Sequence, residues 1–204
     1  MMKFFKWKIF LITSAVCLLP IIFGLYLWNS LPETIPIHFN IYGEPDNYAS
    51  KSVVVFLLPL LMLVAHAISC LSIDYNSAKY GESKRYELAV KLIVPFITVA
   101  LQVITVGYGL GWEIDITKSL CIIVGIMFVV LGRYMPEVNY VKNYNLEVEK
   151  AKKINKFAGV ETVIMGVIFL IGAFLPAKAT AFCPFLLIPY VIIYIVYSLI
   201  IMKK

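Results

Sequence analysis

Long apolar blocks alternate with short polar segments along the chain, and each block is long enough to cross a bilayer. About 20 mostly apolar residues span the hydrocarbon core as an α-helix. The blocks are continuous and do not alternate in polarity, which is typical of membrane helices and not of barrel strands. The pattern therefore predicts six spans, at about 9–28, 53–72, 89–110, 119–136, 158–175 and 182–202.

The connector at 29–52 has a different pattern. Apolar and polar residues alternate over 34–42 with the period of two that predicts a strand, and Pro36 restricts this strand to an edge. The segment 43–47 has the glycine, proline, aspartate and asparagine typical of a turn. Long connectors are more often functional than short ones. We predict a structured extended hairpin that packs one apolar row on the bundle, namely Ile35, Ile37, Phe39 and Ile41.

The composition supports an integral membrane protein. Hydrophobic residues make up 61% of the 204 residues and charged residues 15%, whereas a soluble domain has about half and about a quarter. No linker or low-complexity segment divides the chain, so we expect a single integral membrane domain over 1–204. The predicted fold class is an all-α polytopic membrane helix bundle made of three helical hairpins.

The basic residues predict the orientation of this bundle. If the N-terminus is inside, the outer segments hold only three of the 18 Lys and Arg residues, namely Lys51, Lys118 and Lys178. The positive-inside rule then places both termini in the cytoplasm. The net charge of +6 follows from this topology and from attraction to anionic membrane lipids. We therefore expect membrane lipids as partners and no nucleic acid.

Three ionisable residues lie in or near the predicted spans. His66 is in the inner half of the second span, where an ionisable group is a functional candidate; we expect a neutral histidine bonded to a carbonyl, with a proton relay as the alternative. Glu161 is predicted in the first turn of the fifth span, at the positive end of that helix. Arg133 lies at the inner end of the fourth span, so we expect it to form a structural ion pair with Glu161, and a functional site at the two residues is the alternative.

No pattern in the sequence indicates an enzyme, a metal site or a cofactor. The chain has no nucleophile elbow, zinc-protease motif, CxxC pair or phosphate loop. His38, Glu33, Glu44 and Asp46 do not have the spacing of a standard metal site. Of the four cysteines, only Cys183 approaches the outer side, and because no other cysteine is near it in the predicted topology we expect no disulfide.

The predicted inner connector, 137–157, is rich in charge. Its lysines fit an amphipathic helix lying at the inner membrane surface. A solvated connector fits the same residues, so both interpretations stay open.

Three motifs resemble one family of bacterial membrane proteins, the DUF1648 family. The string LPETIPIHFNIYGEPDNYASK resembles its signature, which has LP, IPxHFN, G-x-x-D and a Ser-Lys or Thr-Lys before the next span. LGRYMP at 131–136 resembles the second signature, LGNxMP, and KFAG at 156–159 resembles the R-F-A-G that opens the fifth span. The inner connector lacks the GIRTPWTL-like stretch of the family. The matching positions in the first signature are Leu31, Pro32, Ile35, Pro36, His38, Phe39, Asn40, Gly43, Asp46, Ser50 and Lys51.

The resemblance implies a function of the SdpI-like immunity type. Such a protein sits in the bacterial cell membrane, expected to be that of a Gram-positive cell, and protects its producer from a secreted peptide toxin through the outer face. The candidate outer residues are Pro32, Glu33, Pro36, His38, Asn40, Gly43, Asp46 and Lys51.

Two alternatives to immunity remain open. One is a membrane receptor that sequesters a cytoplasmic transcriptional regulator at its inner loops, since the family is implied to recruit a repressor there. The other is a small transporter or lipid-handling protein with a cavity near Pro20, Pro59 and His66.

Overall fold

A computed structural model describes residues 4–81, 83–138 and 147–203 of the chain. Within these ranges, six helices are long and apolar enough to cross a membrane. The predicted all-α polytopic bundle is therefore confirmed. The candidate spans are Trp7–Tyr26, Val53–Tyr80, Lys84–Gly109, Ile116–Glu137, Val148–Gly172 and Cys183–Lys203.

The elements are labelled in chain order. The helices are α1 (Trp7–Tyr26), α2 (Leu58–Tyr80), α3 (Lys84–Gly109), α4 (Ile116–Tyr134), α5 (Val148–Gly172) and α6 (Leu187–Lys203). The strands are β1 (Thr34–Phe39) and β2 (Pro45–Ser50). Short helical segments are a π-helical turn at Val53–Leu57, 3₁₀ turns at Met135–Glu137 and Cys183–Leu186, and a single turn at Ala177–Thr180.

Several helices extend beyond the apolar blocks that predicted them. The second span continues to Tyr80, and α5 begins at Val148, well before the predicted 158. An apolar block reports only the part of a helix in hydrocarbon, whereas backbone hydrogen bonding continues through Lys and Glu residues whose charged ends reach the interface. Glu161 therefore lies in the middle of α5, and its predicted place in a first helical turn is wrong. Part of the predicted inner connector, 139–146, lies outside the described residues.

The beginning of the second span packs closely against α1. A π-helical turn is one way in which a helix accommodates a missing backbone donor, and here it directly precedes the proline near the start of α2, Pro59. Val54 and Val55 in this turn are fully buried. A Cβ added to Gly24 of α1 would lie 2.7 Å from the Val55 methyl groups, so no larger residue fits at this crossing.

Glycines line the contact between α4 and α5. A Cβ added to Gly132 would lie 2.7 Å from the carbonyl oxygen of Gly159, and one added to Gly166 would lie 2.8 Å from that of Gly125. Small residues at matching positions allow two membrane helices to approach closely and gain van der Waals contact. The glycine pairs therefore fix the spacing of these two helices.

A second core cluster joins α4 and α5 to the segment before α6. Cys121 and Cys183 lie together in this cluster with Phe169, both as free, buried thiols. The expectation that Cys183 has no cysteine nearby is wrong, because the chain between α5 and α6 folds back over the start of α4.

The bundle has two distinct ends. At one, the hairpin end, the tip of the β-hairpin contacts the beginning of α4, and Ile35 contacts Gly109 at the end of α3. At the opposite end, Lys6 pairs with Glu87, and the Ser83 hydroxyl donates to the Glu137 carboxylate. The assignment of the hairpin end to the outer face stays a prediction from the basic residues.

Candidate functional site

The β-hairpin forms from two short antiparallel strands with an irregular register. Partners pair regularly from Thr34 and Ser50 as far as Pro36, after which the register shifts twice around His38. A bulge leaves one residue unpaired and changes which face the following side chains occupy. The irregularity explains why the simple alternation predicted from the sequence does not hold along the whole strand.

The predicted apolar row is therefore only partly correct. Ile35 is fully buried, and the Phe39 ring meets Tyr108 edge-on with 5.0 Å between centroids. Ile37 and Ile41 are exposed, and Pro36, which was expected on the opposite face, is buried. From the predicted row, Ile35 and Phe39 are the two residues that pack on the bundle.

The turn of the hairpin is built around Asn40. Its side-chain oxygen accepts hydrogen bonds from the backbone N–H groups of Tyr42 (2.9 Å) and Glu44 (3.1 Å), and its own N–H donates to the Glu44 carbonyl (2.8 Å). An asparagine that bonds its own backbone in this way favours a tight turn. Gly43 completes the turn with φ +80°. The turn therefore precedes the predicted 43–47, and Pro45 already belongs to β2.

Four of the candidate residues form two side-chain pairs within the hairpin, a hydrogen bond between His38 and Asp46 and an ion pair between Lys51 and Glu33. His38 Nδ1 lies 2.5 Å from Asp46 Oδ1 across the strands, and Lys51 Nζ lies 3.0 Å from Glu33 Oε1 at the base. Lys51 also lies over the Trp28 ring, 5.0 Å from its centroid. Exposed pairs of this kind add little stability on their own. Each pair links the two arms of the hairpin, while Pro32 lies exposed before β1.

The base of the hairpin is anchored in an apolar core. Leu31 and Ile35 pack with Val54 and Val55 of the π-helical turn and with Val106 of α3. All five side chains are buried, which makes the base a fixed part of the bundle. The tip beyond Phe39 extends from this anchor toward α4.

A pocket of about 350 Å³ lies beneath the hairpin tip. We call it the tip pocket. Its walls come from the hairpin, the first three turns of α4, Phe169 of α5, and the segment that leads into α6 with the first residue of that helix. Among the predicted outer residues, only Asn40 lines it. The lining residues are Phe39, Asn40, Ile41, Ile116, Thr117, Leu120, Cys121, Val124, Phe169, Ala181, Pro184, Phe185 and Leu187.

His66 is fully buried between α1 and α2. Its Nε2 lies 2.8 Å from the Thr13 hydroxyl and 3.5 Å from the Cys70 sulfur, and its ring stacks on Phe10 at 5.8 Å. The expectation of a carbonyl partner is wrong, because His66 bonds to the Thr13 hydroxyl of the neighbouring helix. His66 therefore ties α2 to α1.

A buried cluster of charges lies near His66, toward the end of the bundle opposite the hairpin. It was not predicted from the sequence. Lys91 is fully buried, with Nζ 2.5 Å from Asp74 Oδ1 and 3.1 Å from Glu87 Oε1. Glu87 also pairs with Lys6 and accepts from Ser77 (3.0 Å). The two lysines and two carboxylates have no net charge, so the cluster is internally compensated. The second span was predicted to end at 72, so Asp74 was not considered as a membrane residue. The i,i+4 spacing of Glu87 and Lys91 was the one pattern in the sequence that pointed to a charge pair here.

Arg133 and Glu161 do not form the predicted ion pair. The Arg133 side chain is exposed beside the Gly132–Gly159 crossing. Both carboxylate oxygens of Glu161 are buried, and neither has a hydrogen-bond partner. Glu161 lines a separate cavity between α5 and α6, so the two side chains lie on different faces of the α4–α5 pair.

This fold and site define a class: a multi-pass bacterial membrane protein whose first connector is a β-hairpin anchored at one end of the bundle. Residues 15–63, which include most of α1, the hairpin and the start of α2, match the family model "Domain of unknown function (DUF1648)". Over 171 residues the chain is 24% identical to "Immunity protein SdpI" of Bacillus subtilis (strain 168), which covers 80% of this chain and 81% of that protein. No solved structure matches. The resemblance predicted from the sequence is confirmed: residues 15–63 match the DUF1648 model, and most of the chain is similar to an SdpI immunity protein.

Proposed function

We propose that this chain is a non-enzymatic immunity protein of the bacterial cell membrane, expected in a Gram-positive cell. In this proposal the hairpin end faces outward and binds a secreted peptide toxin. The similarity to an immunity protein supports the class of function. The tip pocket, at the end that carries the family's hairpin, is the structural observation that supports toxin binding.

The chemistry of the tip pocket fits an apolar part of a peptide. Its lining is almost entirely aliphatic and aromatic, with polar groups supplied by Asn40 and Thr117 at the rim. Its volume of about 350 Å³ is at the lower end for small-molecule sites and suits one or two large side chains. A membrane-active peptide exposes such side chains, so a toxin could insert them beneath the hairpin.

The test is protection of a sensitive host. Cells that express the chain should tolerate at least one peptide from a panel of membrane-active bacteriocins better than cells with an empty vector. Ala181→Phe places a ring in the tip pocket and should abolish this protection. Ala65→Phe is the matched control, because the same substitution falls on an exposed position of α2 that lines none of these cavities.

The outcome separates pocket binding from other forms of protection. Equal protection by Ala181→Phe and wild type, at equal membrane abundance, contradicts binding in the tip pocket. Unchanged sensitivity to the whole panel contradicts the immunity function itself. Asp46→Asn and a substitution of Pro36 test the hairpin, and we expect both to weaken protection while the protein still inserts.

A further inference from the structure

A second cavity, of about 280 Å³, lies between α5 and α6 and is separate from the tip pocket. We call it the Glu161 cavity. Apart from Glu161, its walls are aliphatic and aromatic side chains. They include Phe157, Tyr190, Ile164 and Pro189.

Glu161 is the only ionisable acid that lines this cavity. Both of its carboxylate oxygens are buried, and no donor among the described residues reaches either one. Leaving a buried carboxylate without a partner is costly. Elsewhere in the described chain, the buried carboxylates Asp74 and Glu87 are each paired with lysine. A cation bound beside Glu161 would therefore supply the partner that Asp74 and Glu87 each find in a lysine.

Aromatic rings border the same space. Phe157 stacks on Tyr197 with 3.8 Å between centroids, which holds its ring at the rim. The Tyr190 hydroxyl lies 2.8 Å from the Thr162 hydroxyl, which fixes the second ring in the wall. Aromatic faces attract organic cations, and most strongly where water is excluded. A carboxylate with two positioned rings is a set of groups suited to a hydrophobic ammonium ion.

The depth of Glu161 narrows the choice of cation. With a rise of 1.5 Å per residue, Glu161 lies about 8 Å further along α5 than Lys156 and roughly 16 Å from the end at Gly172. It is therefore inside the hydrocarbon region, below the level that a lipid headgroup occupies. A cation that reaches it must carry its own apolar surface.

We propose that the Glu161 cavity binds a small lipophilic organic cation, with Glu161 as its counter-ion and Phe157 and Tyr190 as cation–π walls. This inference is independent of toxin binding at the hairpin end, because the two cavities have no lining residue in common. The remaining apolar side chains, such as Ile164 and Pro189, contact the organic part of the ligand.

The experiment uses the full chain in phosphatidylglycerol nanodiscs with phenyltrimethylammonium as the probe. Its neutral isostere, tert-butylbenzene, has the same shape without the charge. Carboxyl groups in apolar surroundings add to the central carbon of dicyclohexylcarbodiimide and rearrange to a stable N-acylurea, so this reagent should label Glu161, as detected by peptide mass spectrometry. Phenyltrimethylammonium should slow this labelling at least tenfold, and tert-butylbenzene should leave the rate unchanged.

Variants give a second readout. Binding of phenyltrimethylammonium, measured by equilibrium dialysis, should weaken at least tenfold in Glu161→Gln. Glu149→Gln is the matched control, because Glu149 is exposed on the same helix with Lys153 3.7 Å away, and it should bind as the wild type does. If Glu161→Gln does not fold, the labelling of the wild type still decides the matter.

Three results would overturn the proposal. Absence of labelling would mean that the carboxyl group is inaccessible. Equal protection by the ammonium ion and by its neutral isostere would mean a simple apolar cavity. Protection by phosphatidylethanolamine in the discs, without added probe, would mean that a lipid headgroup is the occupant.

Discussion

Lys91 is the most deeply buried charged residue described in this chain, and its two carboxylate partners explain how it is tolerated. Asp74 lies at 2.5 Å on α2, and Glu87 at 3.1 Å on α3 itself. The second lysine, Lys6, reaches Glu87, and its backbone N–H donates to Asp74 Oδ2 at 2.9 Å. A buried ion pair often adds little net stability, but removing one partner leaves an uncompensated charge.

Lys91→Met should therefore destabilise the protein strongly. The expected loss is about 3–5 kcal/mol in the free energy of unfolding, because Asp74 and Glu87 are left with one lysine between them. Thermal or denaturant unfolding of the detergent-solubilised protein measures it. The matched control is Lys118→Met, which breaks a half-exposed pair with Asp115 and should cost about 0–1 kcal/mol. Equal losses in the two variants would contradict a structural role for the cluster.

At the scale of elements, the β-hairpin combines a rigid base with a tip that depends on one turn. Its base shares a core with the start of α2 and the end of α3. Its tip reaches α4 through the turn at Asn40–Glu44, where Gly43 has φ +80° and a Cβ added to it would lie 3.2 Å from the Thr117 hydroxyl. The position of the tip over its pocket therefore depends on a glycine.

Gly43→Ala should displace the tip and reduce stability. The left-handed conformation costs an alanine roughly 1–2 kcal/mol, and crowding against Thr117 adds to this cost. Gly111→Ala isolates the first effect, because Gly111 has the same φ of +80° but nothing within 4 Å of the added Cβ. Gly43→Ala should have a lower melting temperature than Gly111→Ala in thermal unfolding. Hydrogen exchange of the hairpin amides should become faster only in Gly43→Ala. Identical behaviour would show that the contact with Thr117 is immaterial.

Element by element, the sequence was informative where a single physical effect dominates. Apolar length alone identified the six spans, and alternation with turn residues identified the hairpin. The register was not predictable, because Ile35 and Phe39 both pack on the last turn of α3, a contact between segments far apart in the sequence that local alternation does not report. The helix ends near Tyr80 and Val148 were also missed, since charged residues hide the continuation of a helix from its apolar pattern.

At the scale of the whole molecule, two groups of helices are each stabilised by a different kind of contact. Helices α1, α2 and α3 share the charge cluster around Lys91 and the contact between His66 and Thr13. Helices α4 and α5 instead meet along the glycine pairs. Contacts between distant segments, such as Lys6 with Glu87, cannot be derived from local patterns because they depend on which helices become neighbours. For the same reason the sequence could not separate Glu161 from Arg133.

The predicted orientation can be tested with single cysteines and a membrane-impermeant maleimide. All four native cysteines are buried, so background labelling should be low. Lys118→Cys, at the hairpin end, should react in intact cells. Lys79→Cys, near the end of α2 at the opposite end, should react only after permeabilisation, because the basic residues place it inside. The reverse pattern would invert the topology.

The charge cluster also has a consequence for the order of events during synthesis. Asp74 emerges from the ribosome before Glu87 and Lys91, so of the cluster residues only Lys6, just before α1, has been synthesised by then, and in the folded protein it reaches Asp74 through its backbone N–H. The first helical hairpin thus carries an acid whose final partner does not yet exist. We expect α1 and α2 to stay loosely associated, with Asp74 near water, until α3 arrives and all three helices assemble in one step.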